Sequence, residues 1–237
     1  GIAAYYLYIF RPILTNSNPF PFDAWVSGVM ILDILELAGQ CYYLCLTVPV
    51  VVAFDAIYLC LCARTAGQVK LLKNRITYFQ ELVVLDMGHY ISCHQFLLST
   101  FAHLRRLYSS MLLFQYIMTL ITACTSIYEL LMNTTNTNET VNNTIVIWVI
   151  LLQFAYYTFP AEMVAFELSD LSNAIYLSKW YLNNIDVRKR LLFMMVRSQH
   201  QSYLTGGGLI DINVRTFGSV IRTSFSFYTV LKNILAK

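Results

Sequence analysis

Two stretches of this chain carry no charge. Leu107–Tyr128 and Thr140–Ala161 each run 22 residues without Asp, Glu, Lys or Arg, and about 20 helical residues cross the hydrocarbon of a bilayer. Similar apolar runs begin at Ile31 and Phe217. The pattern predicts four membrane-crossing helices, roughly Ile31–Cys62, Leu107–Tyr128, Ile145–Phe166 and Phe217–Leu235. The segments between them mix charge with apolar groups at helical spacing. Ala63–Arg106 carries Val69, Leu72, Leu82, Leu85, Phe96 and Leu97. Glu167–Gln201 carries Leu168, Leu171, Ile175, Tyr176 and Trp180, then Leu191, Leu192, Met195 and Val196, with Asn183-Asn184 dividing it. These segments are too polar for lipid and too apolar to stay solvated. They are expected to fold as helices below the membrane, packed together or against other subunits.

Orientation follows from two unrelated signals. Asn133-Thr134-Thr135, Asn138-Glu139-Thr140 and Asn142-Asn143-Thr144 are glycosylation sequons inside the polar loop 129–144. Oligosaccharide is added on the lumenal side, so Asn133, Asn138 and Asn142 are expected outside. The basic residues agree. Arg64, Lys70, Lys73, Arg75, Arg105 and Arg106 fall in Ala63–Arg106, and Lys179, Arg188, Lys189, Arg190, Arg197 and Arg215 in Glu167–Arg215. Arg11 stands alone in Gly1–Gly28, and Glu129–Thr144 has neither Lys nor Arg. The positive-inside rule puts the two basic segments in the cytoplasm and the C-terminus outside. The domain pattern is thus 1–62, 63–106 inside, 107–166, 167–212 inside, and 213–237. Gly1–Phe10 looks like the outer end of a further crossing, which makes the chain a fragment of a longer protein.

Composition narrows the chemistry. Hydrophobic residues make up 57% and charged residues 12%, about half the charge usual in soluble domains. No HExxH, GxSxG or Walker pattern appears, so nothing points to an enzyme. His89, His94 and His103 have poor spacing for a metal on a helix, and Cys60-Leu61-Cys62 lacks the CxxC spacing. Neither cofactor, metal nor nucleic acid is implied. Asp55 is expected to pair with another helix, and Pro49 to kink its own. Thr205-Gly206-Gly207-Gly208 is the sharpest break in the pattern, and Asp211 or Asn213 is placed to cap the helix after it.

That last helix carries the most telling pattern. Ser219, Thr223, Ser226, Val230 and Asn233 share one face, and Ile234 extends it. Phe217, Ile221, Phe225, Tyr228, Leu231 and Leu235 cluster opposite. A small, hydroxyl-bearing stripe serves either close helix packing or a pore lining, with Val230 and Ile234 as an apolar constriction. Arg222 in the same span favours a wet cavity.

Here the residues resemble a known family. TGGGLIDINVRTFGSVIRTSFSFYTVLKNIL is similar to the last helix of the insect odorant receptors. ELSDLSNAIYLSKWY and RKRLLFMMVRSQ resemble the segment before it, and PFPFDAWVS the second outer loop. Ser226-Phe227 stands where the related gustatory receptors have Thr-Tyr, and Lys232 and Asn233 depart from that version. The resemblance implies an all-α membrane protein of seven helices, with the end of the third and all of the fourth to seventh here. It implies an odorant-gated, non-selective cation channel in the plasma membrane of olfactory sensory neurons. Four subunits, including a shared co-receptor, would surround a pore lined by the last helix. Carried over, Val230 and Ile234 take the gate positions, above Ser226, Thr223 and Ser219. Leu171, Ile175, Tyr176, Trp180, Leu191, Leu192 and Met195 take the cytoplasmic anchor. The family's pocket for a small volatile ligand draws on the second, third, fourth and sixth helices. Met30, Ile34, Leu37 and Cys41, with Trp148, Leu151 and Leu152, are its candidates here. The alternatives are a gustatory receptor subunit or a G-protein-coupled type of heptahelical receptor.

Overall fold

A computed structural model describes residues 30–78, 84–132, 137–200 and 202–235, with the side chains of 30, 33, 44, 48, 78, 84–86, 137–139, 142, 234 and 235 left aside. The expectations for Gly1–Gly28, Leu82 and Asn133 fall outside the described residues, as do those for the side chains of Met30, Leu85, Asn138, Asn142, Ile234 and Leu235. Helix α1 is Met30–Tyr78, α2 is Val84–Met132 and α3 is Thr137–Leu177. A short 3-10 turn, Trp180–Leu182, precedes α4, Ile185–Gln199. Strands β1, Leu204–Gly206, and β2, Ile210–Ile212, form a hairpin, and α5, Val214–Leu235, closes the order. Two compact units divide the chain at Tyr58.

Among the described residues, α1, α2 and α3 are each long and apolar enough to cross a membrane. They are also too long to stop there. At 1.5 Å per residue, the 49 residues of α2 extend about 74 Å, against a hydrocarbon core of about 30 Å. Each expected span therefore continues, without a break, into the segment expected below it. The polar loop is shorter than the expected 129–144, because α2 runs to Met132 and α3 starts at Thr137. Pro49 and Pro160 sit inside continuous helices. The last helix, expected to be a fourth crossing, is not among these three: its 22 residues include Arg215, Arg222 and Lys232, and it is less apolar than they are. That is the profile of a helix with one wet face.

Within Leu59–Lys237 the core is helix on helix. Cys62, Val69, Leu72 and Ile76 of α1 are buried, one or two turns apart as one helical face requires. Leu97, Phe101, Leu104, Tyr108 and Leu112 do the same on α2, and Ala161, Val164, Leu168, Leu171 and Ile175 on α3. Helix α4 returns along α3 and turns Val187, Leu191, Met194 and Met195 inward. A polar clamp ties the lower parts of α1 and α3 together. Lys73 Nζ donates to Glu167 Oε2 and Asp170 Oδ2, both at 2.6 Å.

The glycine run forms the hairpin turn. Gly207 and Gly208 have φ of 61° and 71°, a left-handed pair that glycine adopts without strain. The turn closes with Leu209 N–H donating to the Gly206 carbonyl at 3.0 Å. Its backbone lies directly on α2, where Gly207 N–H donates to the Ser109 carbonyl at 2.9 Å. A Cβ on Gly206 would stand 3.1 Å from the Leu113 nitrogen and 3.2 Å from its Cα. After the hairpin, Thr216 N–H donates to Asn213 Oδ1 at 2.8 Å, so Asn213 is the cap of α5.

The Gly206 contact yields a test. Backbone cannot move aside as a side-chain tip can, so Gly206→Ala is expected to lift the hairpin from α2 and cost about 1–3 kcal/mol. Hydrogen exchange in the full-length protein is expected to speed up at Gly207 and through the first turn of α5. Unchanged exchange there would show that the hairpin tolerates the methyl group.

Candidate functional site

Helix α5 has three faces. Val220 is buried, and Phe217, Ser224, Phe227, Tyr228 and Leu231 are half-buried. These residues follow steps of three and four and form the packed face. The Phe217 ring stacks on Phe154 at 6.1 Å between centroids and lies 6.0 Å from Phe159. Phe154 also meets Tyr116 of α2 at 6.0 Å, so aromatic rings tie α2, α3 and α5 together. Round the helix, Ser219, Thr223, Ser226, Val230 and Asn233 are all exposed. Arg222 is exposed as well and shares that side at 3.6 residues per turn.

The third face of α5 borders an apolar groove of about 460 Å³, within the range of small-molecule pockets. From α5 come Ile221, Ser224, Phe225 and Tyr228. From α2 come Ala123, Ile127 and Leu130. From α3 come Ile147, Trp148 and Leu151. Two hydroxyls, on Ser224 and Tyr228, interrupt the apolar wall, and the Ser224 hydroxyl already donates to the Val220 carbonyl at 2.9 Å.

The structure separates the ligand candidates. Trp148 and Leu151 join the groove, whereas Leu152 is 66% exposed and is not among its lining residues. Ile34 is exposed and Leu37 and Cys41 are half-buried on α1, in the first unit.

The anchor candidates divide too. Leu171, Ile175, Leu191 and Met195 are buried in the chain's own α3–α4 contact. Tyr176 and Leu192 are exposed, and Trp180 is half-buried. Tyr176 and Trp180 do not share one helix, because α3 ends at Leu177 and Trp180 opens the 3-10 turn. Around them lie exposed Leu177, Tyr181, Leu182, Ile185, Phe193 and Val196, of which the spacing singled out Val196 alone. The others were hidden because α4 is apolar on two sides, so periodicity marks no single inner face. An exposed patch of this kind on a folded chain marks an interaction surface.

Near that patch, His94 of α2 is buried with its Nε2 3.2 Å from Ser198 Oγ of α4. Ser198 Oγ also lies 2.9 Å from the Met194 carbonyl, so an Nε2–H tautomer lets His94 donate to the hydroxyl and the hydroxyl donate onward. Burial, and then the Arg197 charge, lower the His94 pKa from its usual 6.5. Burial alone would also lower the Lys73 pKa, but hydrogen bonds to Asp170 and Glu167 outweigh it and raise the value. The Lys73 and Asn173 hydrogen bonds hold the Asp170 carboxyl below its usual range. Lys73 and Asp170 are therefore ionised across physiological pH.

Against known proteins, a sequence profile described as 7tm Odorant receptor matches residues 2–225. Putative odorant receptor 19b and odorant receptor 19a of Drosophila melanogaster are each 27% identical over 145 residues, 61% of this chain and 38% of theirs. Odorant receptor 10 of Aedes albopictus is 27% identical over 81 residues, 34% of this chain and 21% of its own. The chain thus spans about two fifths of the Drosophila relatives' length. Its fold is similar to that of the insect olfactory receptor OR5 from Machilis hrabei, solved in complex with eugenol. The TM-score is 0.78 at 19% identity, covering 96% of this chain and 61% of that one.

The His94 contact makes α4 packing pH-dependent. The folded pKa lies below the unfolded one, so the unfolded state takes up the proton first as pH falls. This stability is fully present above about pH 6.5 and is lost as pH falls towards the folded pKa. Amide exchange in α4, corrected for intrinsic rate, is expected to quicken between about pH 8 and about pH 5. His94→Gln is expected to flatten the profile, and an unchanged profile in that variant would assign the effect to another group.

Proposed function

We propose that this chain, which belongs to the insect odorant receptor family, is a subunit of an odorant-gated, non-selective cation channel. The observation that carries the reading is the stripe Ser219, Thr223, Ser226 and Val230. It is exposed throughout while the next face of the same helix packs. Hydroxyls suit a hydrated lining, and Arg222 on the same side suits a wet cavity better than lipid. Val230, with Ile234 one turn beyond, is the apolar layer that closes the path by dewetting.

Assembly uses the exposed lower surface. Tyr176 and Phe193, 66% and 79% exposed, are large apolar anchors of the type that dominates interface energetics. They are assigned to contacts with the shared co-receptor subunit in a heterotetramer in the plasma membrane of olfactory sensory neurons. The basic residues put this surface in the cytoplasm, and the sequon loop and C-terminus outside.

The ligand is a small volatile compound. The solved relative was captured with eugenol, and the groove here is apolar with two hydroxyls. Trp148 and Leu151, assigned to the ligand from the sequence, face Ile221, Phe225 and Tyr228 of α5 across it. A ligand there touches the pore helix itself, so occupancy biases α5 through differential contact with its two positions.

Val230→Ser tests this reading at nearly constant volume. With the full-length protein and its co-receptor, it is expected to increase odorant-independent leak or alter cation permeability at normal surface expression. Leu231→Ser, on the packed face, is expected to reduce expression instead. Wild-type leak and permeability in Val230→Ser would remove Val230 from the gate.

A further inference from the structure

The expected spans of α1 and α2 end at one level. Leu61 lies at the inner end of the first and Leu107 at the inner start of the second. Between them the structure holds an open groove of about 550 Å³. Its walls are of two kinds. Leu61, Leu104 and Leu107 make one part apolar, while Arg106, His103 and Thr100 make the other part polar. Leu107 is 70% exposed, at the edge of a charge-free run. Arg106 and its neighbour Arg105, with Arg64 one residue from the groove's Thr65, are exposed. None of the three makes an ion pair among the described residues.

We infer that this groove binds an anionic phospholipid of the cytoplasmic leaflet. A guanidinium presents paired donors that match phosphate oxygens, and basic pockets between membrane helices on the cytoplasmic side suit anionic head groups. Leu61 and Leu107, continuous with the hydrocarbon, take the start of an acyl chain. A soluble anion would find only the polar half of this site, and a neutral lipid only the apolar half. The lipid bridges α1 and α2 where both helices leave the membrane. The assignment rests on the orientation given by the basic residues and does not depend on ion conduction.

Lipid retention tests it without recording currents. The full-length protein in complex with its co-receptor is reconstituted in phosphatidylcholine nanodiscs with or without phosphatidylserine, then released for native mass spectrometry. Wild type is expected to retain phosphatidylserine over phosphatidylcholine. Arg106→Gln is expected to retain it about fivefold less, the loss of one basic side chain's attraction. Arg188→Gln, on α4, is expected to match wild type. So that any lipid held by the co-receptor subunits cancels, the count is compared between variants in the same assembly. Equal retention by Arg106→Gln and wild type overturns the proposal, as does equal retention of the two lipids. Displacement of phosphatidylserine by glycerophosphoserine or inorganic phosphate at similar concentration also overturns it, by showing a site for soluble anions.

Discussion

A bilayer offers no water to unpaired backbone groups, and every other feature of this chain follows from that constraint. A crossing segment must satisfy its own N–H and C=O groups, so it becomes a helix. The helices here are then far longer than the hydrocarbon is thick, as the 49 residues of α2 and the 41 of α3 show. Their lower parts are expected to meet water and need a different kind of packing. The hydrophobic effect supplies it, through Leu171, Ile175 and Leu191, and Lys73 fastens α1 to the two carboxylates of α3.

Within the expected membrane region, helix contact relies on shape and aromatic packing, because apolar side chains gain little there by leaving lipid. Phe217 between Phe154 and Phe159 is that contact for α5. The hairpin anchors the entrance of the same helix. Gly206 lies against the Leu113 backbone, Asn213 caps the first turn, and Glu162 Oε2 accepts from Val214 N–H at 3.2 Å. The start of α5 is therefore held at several points, while its opposite side, from Ser219 to Val230, is left exposed.

Much of this was legible from residue order. Uncharged runs marked three helices long and apolar enough to cross a membrane, Asn213 was one of two residues placed to cap α5, and Leu171, Ile175 and Leu191 sat at core spacing. The phase of α5 was less legible. Ile221 and Phe225 looked like packing residues, yet they are exposed and border the groove while Val220 and Phe227 occupy the packed face. Both phases are apolar, and only the neighbouring helices distinguish them. The glycine run signalled a break, but the hairpin's contact with Leu113 needs the tertiary structure. Lys73 meets partners 94 and 97 residues away, a separation no local pattern carries. Phe193 and Ile185 escaped because the residues of the apolar patch follow no single face.

The central claim is that α5 turns one specific face to water. Single cysteines from Ser219 to Asn233, in the full-length protein with the proposed co-receptor, probed with a charged, membrane-impermeant thiol reagent during odorant application, test it most directly. The account predicts reaction at 219, 223, 226 and 230, and silence at 220, 224, 227 and 231. Reaction on the second set with silence on the first would contradict it.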